Sequence, residues 1–228
     1  ELQSLLKKAL DDCKSLFSQC YQSQVVDSLL RPSMISGKML EPVMHILQSQ
    51  RIILASGSPR REEILRVVGL KFEVCPSLYE EDLDPSKYKN HGDFVVDTAT
   101  NKVKEVVERL SAGDSKPDIV IGADTMVSMD GKVLVGRCHS VFTGVVLHNG
   151  TDLIKFSERT DVYMAPVSEE VIRAYVKTGE PLDKAGAYGI QGIGGSLVQK
   201  IEGDYFNVMG MPLHKVCSHL VEITKSKK

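Results

Sequence analysis

The sequence lacks tryptophan, has few aromatic residues and contains no long apolar run. Aromatic residues make up 6% of the 228 residues, and none of them is Trp. No stretch approaches the roughly 20 consecutive apolar residues that span a bilayer, and the first residues lack the basic and then apolar pattern of a secretory signal. We therefore expect a cytoplasmic protein that does not associate with membranes.

Paired cysteines and metal-ligand spacings are also missing. The five cysteines are odd in number, scattered and without a CxxC motif, so they indicate neither a disulfide framework nor a zinc site. Among the six histidines, His214 and His219 lie five residues apart, which is off the i, i+4 spacing of a helical zinc site. The pattern favours a reducing compartment and gives the histidines no role.

An excess of either charge is absent as well. The net charge is −2 and the isoelectric point is near 6.3, whereas nucleic-acid-binding proteins use an extended basic field. We expect no nucleic-acid partner, so phosphate recognition would need a local cluster of cations. The hydrophobic fraction of 42% and the charged fraction of 25% are typical of a globular protein with a sizeable core.

Two segments follow from the pattern along the chain. Residues 1–38 read as a helical extension and a linker, with apolar residues spaced three and four apart from Leu6 to Cys20 and breakers between Arg31 and Gly37. This helix packs on its own domain or on a partner, and the pattern leaves both open. Residues 39–228 are predicted to form one domain.

Within residues 39–228 the pattern alternates between strands and helices. Strands are predicted at 52–55, 72–75, 118–123, 140–147, 153–163 and 197–201, with helices after Ser58, Asp93, Ser168 and Pro212. Alternation at the start and hairpin signals in the middle predict an α/β fold with a mixed sheet and flanking helices.

The stretch ILASGSPRREEIL at residues 53–65 predicts an anion site. Ser58 and Pro59 suit the cap and first turn of a helix, yet Arg60 and Arg61 follow where the helix dipole disfavours cations. A bound phosphate would reverse that repulsion, with hydroxyl groups of Ser56 and Ser58 and backbone N–H groups assisting. Alternatively, the arginines pair with surface acids.

A second feature is Asp124, directly after the apolar run DIVIGA. At the carboxyl end of a strand its carboxylate faces the ligand crevice, where it can hold Mg²⁺ or orient an attacking water. An Asp after a strand also serves as a turn former. The neighbouring arginine turn favours the catalytic interpretation.

The glycine-rich segment at residues 180–195 indicates backbone close to a ligand. Gln191 offers one donor face and one acceptor face, which suits the edge of a base. Lys184, together with Lys102 on the long predicted helix, is a candidate phosphate ligand. The alternatives are a flexible loop and solvated surface lysines.

Taken in order, several motifs resemble the Maf family of nucleoside triphosphate pyrophosphatases, in particular its dTTP/UTP branch. They are SGSPRREEIL, VIGADTMV, HSVFTGV, EPLDKAGAYGIQGIGG and EGDYFNVMGMPL. The resemblance implies a Maf-like, ITPase-like fold with two lobes around a nucleotide cleft, commonly a homodimer. It also implies hydrolysis of a nucleoside triphosphate between the α- and β-phosphates, with a divalent metal, Mg²⁺ or Mn²⁺.

Site roles carried over from the resemblance fall on matching positions. The resemblance implies that Asp124 is the catalytic acidic residue and a metal ligand, and that Glu80 is a second acidic residue at the metal. The implied substrate contacts are Ser56, Ser58, Arg60, Arg61, Lys102, Thr125, Lys184 and Gln191, of which Arg60, Thr125 and Gln191 bear on base specificity.

One departure from the family pattern weakens the expected activity. Relatives have a Glu-x-Lys-Pro segment and a helix before the strand HSVFTGV, whereas here Val135 runs directly into Gly136. About 20 residues are missing, judged from the usual size of such a unit. Two functions from different classes remain: an active pyrophosphatase with reduced turnover, and a nucleotide-binding or scaffold protein without catalysis.

Overall fold

The computed structural model describes residues 39–113, 115–128 and 138–226. The predicted helical extension and linker, residues 1–38, lie outside this part, and the domain boundary at residue 39 stays a prediction. No helix in the described ranges is long and apolar enough to cross a membrane.

Six strands and six α-helices make up the described fold. The strands are β1 (Ile52–Leu54), β2 (Glu73–Val74), β3 (Ile119–Ser128), β4 (Cys138–His148), β5 (Leu153–Met164) and β6 (Val198–Glu202). The helices are α1 (Met44–Leu47), α2 (Pro59–Val67), α3 (His91–Ser111), α4 (Glu169–Lys177), α5 (Tyr205–Val208) and α6 (Leu213–Ser226).

All six strands form one mixed sheet in the order β2-β1-β3-β4-β5-β6. The pairs β2–β1 and β1–β3 are parallel, and the remaining pairs are antiparallel. Crossovers through α2 and α3 produce the parallel part. In the antiparallel part a short turn joins β4 to β5, whereas β6 follows β5 only after α4 and the glycine-rich segment. The predicted α/β class with a mixed sheet and flanking helices is confirmed.

Buried side chains alternate between the two faces of the sheet, as the two-residue period of strands requires. Ile52 and Leu54 of β1 pack in the larger core with α1, α2 and α6. Ile53 and Ala55 point to the opposite face, against α3. Helices therefore cover both faces, and β1 and the first half of β3 are fully buried.

A third apolar group lies at the other end of the sheet. It joins β4 and β5 to α4 and to the glycine-rich segment through five buried residues: Val141, Val162, Tyr175, Tyr188 and Leu197. This separate group forms the second lobe.

Helix α3 lies close to the sheet because Gly122 of β3 and Gly144 of β4 have no side chain where the helix packs. A Cβ on Gly144 would lie 2.4 Å from the backbone of Val95 and Val96, which leaves no room for any other residue. Asn90, and not the predicted Asp93, caps this helix, since the Asn90 side chain accepts from the Asp93 N–H. The close approach brings the middle of α3 to the site.

Strand β3 continues beyond the predicted end at Asp124. The parallel pairing with β1 finishes where the Ala55 N–H bonds to the Ile121 carbonyl at 2.8 Å, but the antiparallel pairing with β4 persists to Ser128. The boundary at Asp124 was wrong because β4 supplies hydrogen bonds that the local pattern does not reveal. Asp124 therefore lies on rigid strand backbone just past the end of β1.

Candidate active site

The turn between β1 and α2 has the expected position but a different internal structure. Ser58 occupies the position before α2, yet its side chain makes no capping hydrogen bond, so the predicted Ser58 cap is wrong. The Ser58 N–H donates instead to the Ser56 hydroxyl at 3.3 Å. The buried Ser56 therefore shapes the turn, and Ser58 lines the pocket beside it.

Arg61 connects three parts of the site through its guanidinium group. Nη1 donates to the Ser56 hydroxyl at 2.9 Å and to the Ala123 carbonyl at 2.8 Å. Nε donates to the Gly210 carbonyl and Nη2 to the Thr125 hydroxyl, both at 2.9 Å. Four of its five N–H donors thus bond to protein oxygens.

Desolvation lowers the pKa of Arg61 to about 10, although attraction to Asp124 and Glu81 opposes this shift. The group remains charged at neutral pH. Arg61 was predicted to be a phosphate ligand like Arg60, but its donors mainly hold the site together. The hydroxyl of Thr125, which was predicted to contact the substrate, also bonds within the protein. It accepts from Arg61 and shares a hydrogen bond with Thr143 at 3.1 Å.

An open pocket of about 230 Å³ lies between the arginine turn and the second lobe. Six of the predicted substrate residues line it: Ser58, Arg60, Arg61, Thr125, Lys184 and Gln191. Apolar side chains from the two lobes, among them Val127, Val141 and Val208, complete the wall. A cationic end and an apolar end in one pocket suit a phosphorylated ligand with a flat organic group.

A charged cluster adjoins this pocket. Lys102 of α3 contacts the Asp124 carboxylate at 2.8 Å and the Glu81 carboxylate at 2.6 Å. Side chains of Lys102 and Asp124 are 14% and 12% exposed, so this pair is shielded from solvent. Since successive strand residues point to opposite faces, Asp124 faces α3 while Thr125 faces Arg61.

Glu81, and not Glu80, joins this cluster. Glu80 is exposed, and within the described ranges no ion pair connects its carboxylate with Lys102 or Asp124. Both glutamates lie in an irregular segment without periodicity, so the sequence does not distinguish them. The metal role of Glu80 stays a prediction, whereas the ion pair with Lys102 is made by its neighbour Glu81.

The segment that carries Glu81 is fastened to α3 by residues that sequence reasoning missed. Glu105 accepts hydrogen bonds from the Ser77 hydroxyl and the Leu78 N–H, both at 2.9 Å. Arg109 pairs with Glu105 at 2.6 Å and donates to the Pro76 carbonyl at 3.0 Å. The hydrogen bond from Arg109 is the main cause that lowers the pKa of Glu105 to about 2.

On the opposite wall, the glycine loop (residues 189–195) carries Gln191. Gln191 is exposed at the pocket rim, where its amide is accessible to a ligand. Lys184 also lines the pocket, and its ammonium group donates to the Glu180 carbonyl at 2.6 Å. Tyr188 contributes a buried ring to the wall, with its hydroxyl 3.0 Å from His139 Nε2.

The donor set suits a hard divalent cation that substrate phosphates would help to coordinate. In the described ranges no group of three His, Cys, Asp or Glu side chains forms a complete metal site. Mg²⁺ is commonly held by one or two carboxylates together with substrate phosphates. Asp124 and Glu81 provide two carboxylates, and both contact the ammonium group of Lys102. These residues therefore fit the group that the resemblance implied.

Comparisons with a family model and with known proteins agree on one family. Residues 51–223 match the family model described as Maf-like protein. A human protein named probable bifunctional dTTP/UTP pyrophosphatase/methyltransferase protein is 42% identical over 210 residues, covering 81% of this chain. This chain spans 34% of the length of that human relative.

Two bacterial relatives are covered over nearly their full length. The dTTP/UTP pyrophosphatase of Symbiobacterium thermophilum is 42% identical over 189 residues, with 76% of this chain and 94% of the relative covered. That of Bacillus cereus strain AH820 is 40% identical over 187 residues, with 75% and 94% covered. A Vibrio cholerae protein of known crystal structure superposes with a TM-score of 0.33 at 12% identity, over 60% of this chain and 72% of that one, too weak a likeness to support an argument.

The alignment with the Symbiobacterium relative is longer than the part of this chain that it covers. The Symbiobacterium alignment extends over 189 residues, yet 76% of the 228 residues of this chain is about 173 residues. About 16 positions of the alignment therefore have no residue in this chain. This difference agrees in size with the segment expected to be missing after Val135.

Proposed function

The chain belongs to the Maf family, and from that premise we propose that it hydrolyses dTTP, UTP or a related pyrimidine nucleoside triphosphate to the monophosphate and pyrophosphate. The single observation that carries this proposal is the ion pair of Lys102 and Asp124 at 2.8 Å beside the arginine turn. It places a carboxylate and a cation next to a pocket with one cationic and one apolar end. Both relatives and geometry support the same reaction class.

In this mechanism the arginine turn binds the triphosphate. Arg60, Ser58 and the first N–H groups of α2 bind phosphate oxygens, with the helix dipole assisting. Arg61 keeps the turn, β3 and Gly210 in register, so that the phosphates meet a preorganised surface. Lys184 supplies further positive charge in the pocket lining, and Lys102 supplies it at Asp124.

Asp124 is the residue proposed to act on the reacting atoms. It orients the water that attacks the α-phosphorus, and the attack breaks the bond to the bridging oxygen, so that pyrophosphate leaves. Lys102 holds the Asp124 carboxylate in place and stabilises negative charge that develops on the phosphate.

Asp124 and Glu81 would hold the divalent metal, which when bound neutralises phosphate charge and acidifies water. The proposed metal is Mg²⁺ or Mn²⁺. Cytoplasmic location, a homodimer, and the absence of nucleic-acid and membrane partners are likewise part of this proposal, supported by composition and by the family.

Product analysis tests the function. Incubation with UTP or dTTP and Mg²⁺ should yield the monophosphate and pyrophosphate, resolved by anion-exchange chromatography. Asp124→Asn should keep nucleotide affinity and lose at least about 100-fold in turnover, because removing one electrostatic group typically costs that much. The matched control Asp97→Asn changes an exposed carboxylate outside the pocket lining and should retain full turnover.

Two results would contradict the proposal. Release of orthophosphate with the diphosphate would place cleavage at the β–γ bond. Turnover of Asp124→Asn at half the parent rate or more would remove Asp124 from the mechanism.

A second candidate function, nucleotide binding with little catalysis, is favoured by the shorter aligned length of this chain. The absent segment would carry an acidic residue and a lysine, implied by the resemblance, that act at the metal and phosphates. Turnover is therefore expected to be well below that of the full-length bacterial relatives.

A further inference from the structure

A half-buried carboxylate, that of Glu180, and the buried ring of Tyr175 lie directly behind the glycine loop. Glu180 Oε2 accepts from the Ile193 N–H at 2.9 Å, and Oε1 accepts from the Gly194 N–H at 2.9 Å. Oε1 also accepts from the Tyr175 hydroxyl at 2.8 Å. One carboxylate thus receives three donors, two of them from the loop backbone.

Tyr175 extends this set to the other side of Gln191. Its side chain belongs to the second-lobe core and is 6% exposed, and its oxygen accepts from the Gly189 N–H at 3.0 Å. The loop is therefore fixed at Gly189, two residues before Gln191, and at Ile193 and Gly194, just after it. The two anchor groups share one hydrogen bond and act as a unit.

The loop packs so closely on these groups that glycine is required at the contact points. A Cβ on Gly194 would lie 2.5 Å from the Tyr175 hydroxyl oxygen, and one on Gly192 would lie 2.5 Å from Glu180 Oε2. Real Cβ contacts are not that short, so a larger residue at either position would displace the loop or the anchoring side chain that it meets. The glycine density noted in the sequence thus serves contact with Glu180 and Tyr175.

The charge of Glu180 suits this task. Hydrogen bonding, chiefly from the Gly194 N–H, lowers the pKa of Glu180, so the group is ionised at neutral pH. All three of its partners are donors, and only a carboxylate accepts on both oxygens. A carboxamide would present an NH₂ group to at least one N–H donor.

We propose that Glu180, together with Tyr175, is a positioning residue that fixes Gln191 at the pocket rim and thereby determines selectivity for a uracil or thymine base. Neither residue lines the pocket, so both act through the loop. This inference rests on the proposed function, because it assumes that a nucleotide base reaches Gln191. Selectivity follows because a hydrogen-bonding side chain held in one place, here Gln191, discriminates against bases that lack the matching edge.

The test measures affinity and does not depend on turnover. Isothermal titration calorimetry with Mg²⁺ compares α,β-imido-UTP, α,β-imido-ATP and inorganic tripolyphosphate on the same protein. Glu180→Gln should lower the ratio of UTP-analogue to ATP-analogue affinity at least about fivefold, since an unsatisfied N–H next to Gln191 frees the loop. Affinity for tripolyphosphate, which has no base, should stay within about twofold.

Two further variants complete the design. Tyr175→Phe removes the donor to Glu180 and the acceptor for Gly189, and should reduce the same ratio while tripolyphosphate binds as before. Glu169→Gln is the matched control, because Glu169 is an exposed glutamate of α4 that forms an ion pair with Arg173 on the same helix. If Glu180→Gln fails to fold, Tyr175→Phe alone decides the question.

Each outcome has one meaning. An unchanged base ratio in folded Glu180→Gln or Tyr175→Phe overturns the inference and leaves the proposed function intact. A parallel loss of tripolyphosphate affinity also overturns it, because the anchors would then support the whole site and not the base loop. Failure of the parent chain to bind either nucleotide analogue defeats the proposed function and this inference together.

Discussion

Arg61 donates to four protein oxygens, so its replacement by lysine removes contacts that hold the arginine turn to β3 and Gly210. A lysine has three donors and no fork, which leaves buried carbonyl groups unsatisfied. Arg61→Lys should therefore lower the free energy of unfolding by about 2–4 kcal/mol, measured by urea denaturation. The control is Arg66→Lys on the same helix, an exposed ion pair expected to contribute about 0–1 kcal/mol. Equal stability of both variants would contradict the structural role.

Arg60 should show the complementary behaviour. Arg60→Ala should weaken binding of α,β-imido-UTP roughly 10- to 100-fold in calorimetry, because charged hydrogen bonds to phosphate are worth about 1.5–3 kcal/mol. The loss should exceed that of Arg61→Lys at a temperature where both proteins are folded. Arg66→Ala controls for removal of one positive charge from α2. Unchanged affinity in Arg60→Ala would remove the phosphate role from the turn.

At the scale of elements, α3 connects the charged cluster with the segment that carries Glu81. Lys102, Glu105 and Arg109 follow at spacings of three and four, so they lie on one helix face. Lys102 contacts Asp124 and Glu81, while Glu105 and Arg109 hold residues 76–78. The position of Glu81 therefore depends on contacts one turn and two turns further along α3.

This arrangement predicts a pH-dependent contribution to stability. The pKa of Glu105 falls from 4.5 to about 2 in the folded protein. Because the folded pKa is lower than the unfolded one, the contribution is fully present above about pH 4.5 and is lost as the pH falls toward 2. Glu105→Gln should thus destabilise the protein at pH 7 and progressively less below pH 4.5.

Urea denaturation from pH 7 to pH 3 measures this difference. Glu108→Gln on the same helix, with an exposed carboxylate, provides the control and should show little pH-dependent difference from the parent. A constant difference between Glu105→Gln and the parent over this range would show that Glu105 does not titrate as the structure indicates.

For the whole molecule, the site depends on contact between lobes that are distant in sequence. The pocket takes its cationic end from residues 58–61 and its opposite wall from residues 184–191. A mixed sheet makes this contact, because the antiparallel strands β3, β4 and β5 run from the first lobe into the second. Residues 129–137, where the family segment is expected to be missing, connect β3 to β4.

Restoring that segment is the corresponding prediction. Insertion of the family's Glu-x-Lys-Pro loop and helix between Val135 and Gly136 should raise the turnover of UTP about 10²–10³-fold, because it returns electrostatic groups that act on the transition state. A glycine-serine insertion of the same length is the control and should leave turnover low. Full turnover of the chain without any insertion, with its mass verified, would show that Asp124 and the arginine turn suffice.

Several parts of this protein were determined by local sequence alone. Alternating apolar runs predicted the strands and the mixed sheet, because burial on two faces leaves a period that local sequence displays. The turn from Ser56 to Arg61 and the position of Asp124 near the end of β1 were predicted because such signals are contained within a few residues. The motifs of the family gave the remaining site residues.

Tertiary structure alone decided which of these residues bond to distant parts of the protein. Arg60 and Arg61 are adjacent and chemically alike, yet Arg61 meets oxygens from residues up to 149 positions away. Glu81, and not Glu80, pairs with Lys102, and Glu180 reaches the glycine loop, through contacts between segments without periodicity. Such assignments depend on where distant backbone groups come together in three dimensions, because hydrogen bonds are decided by distance and direction in space, which neighbouring residues in the sequence do not specify.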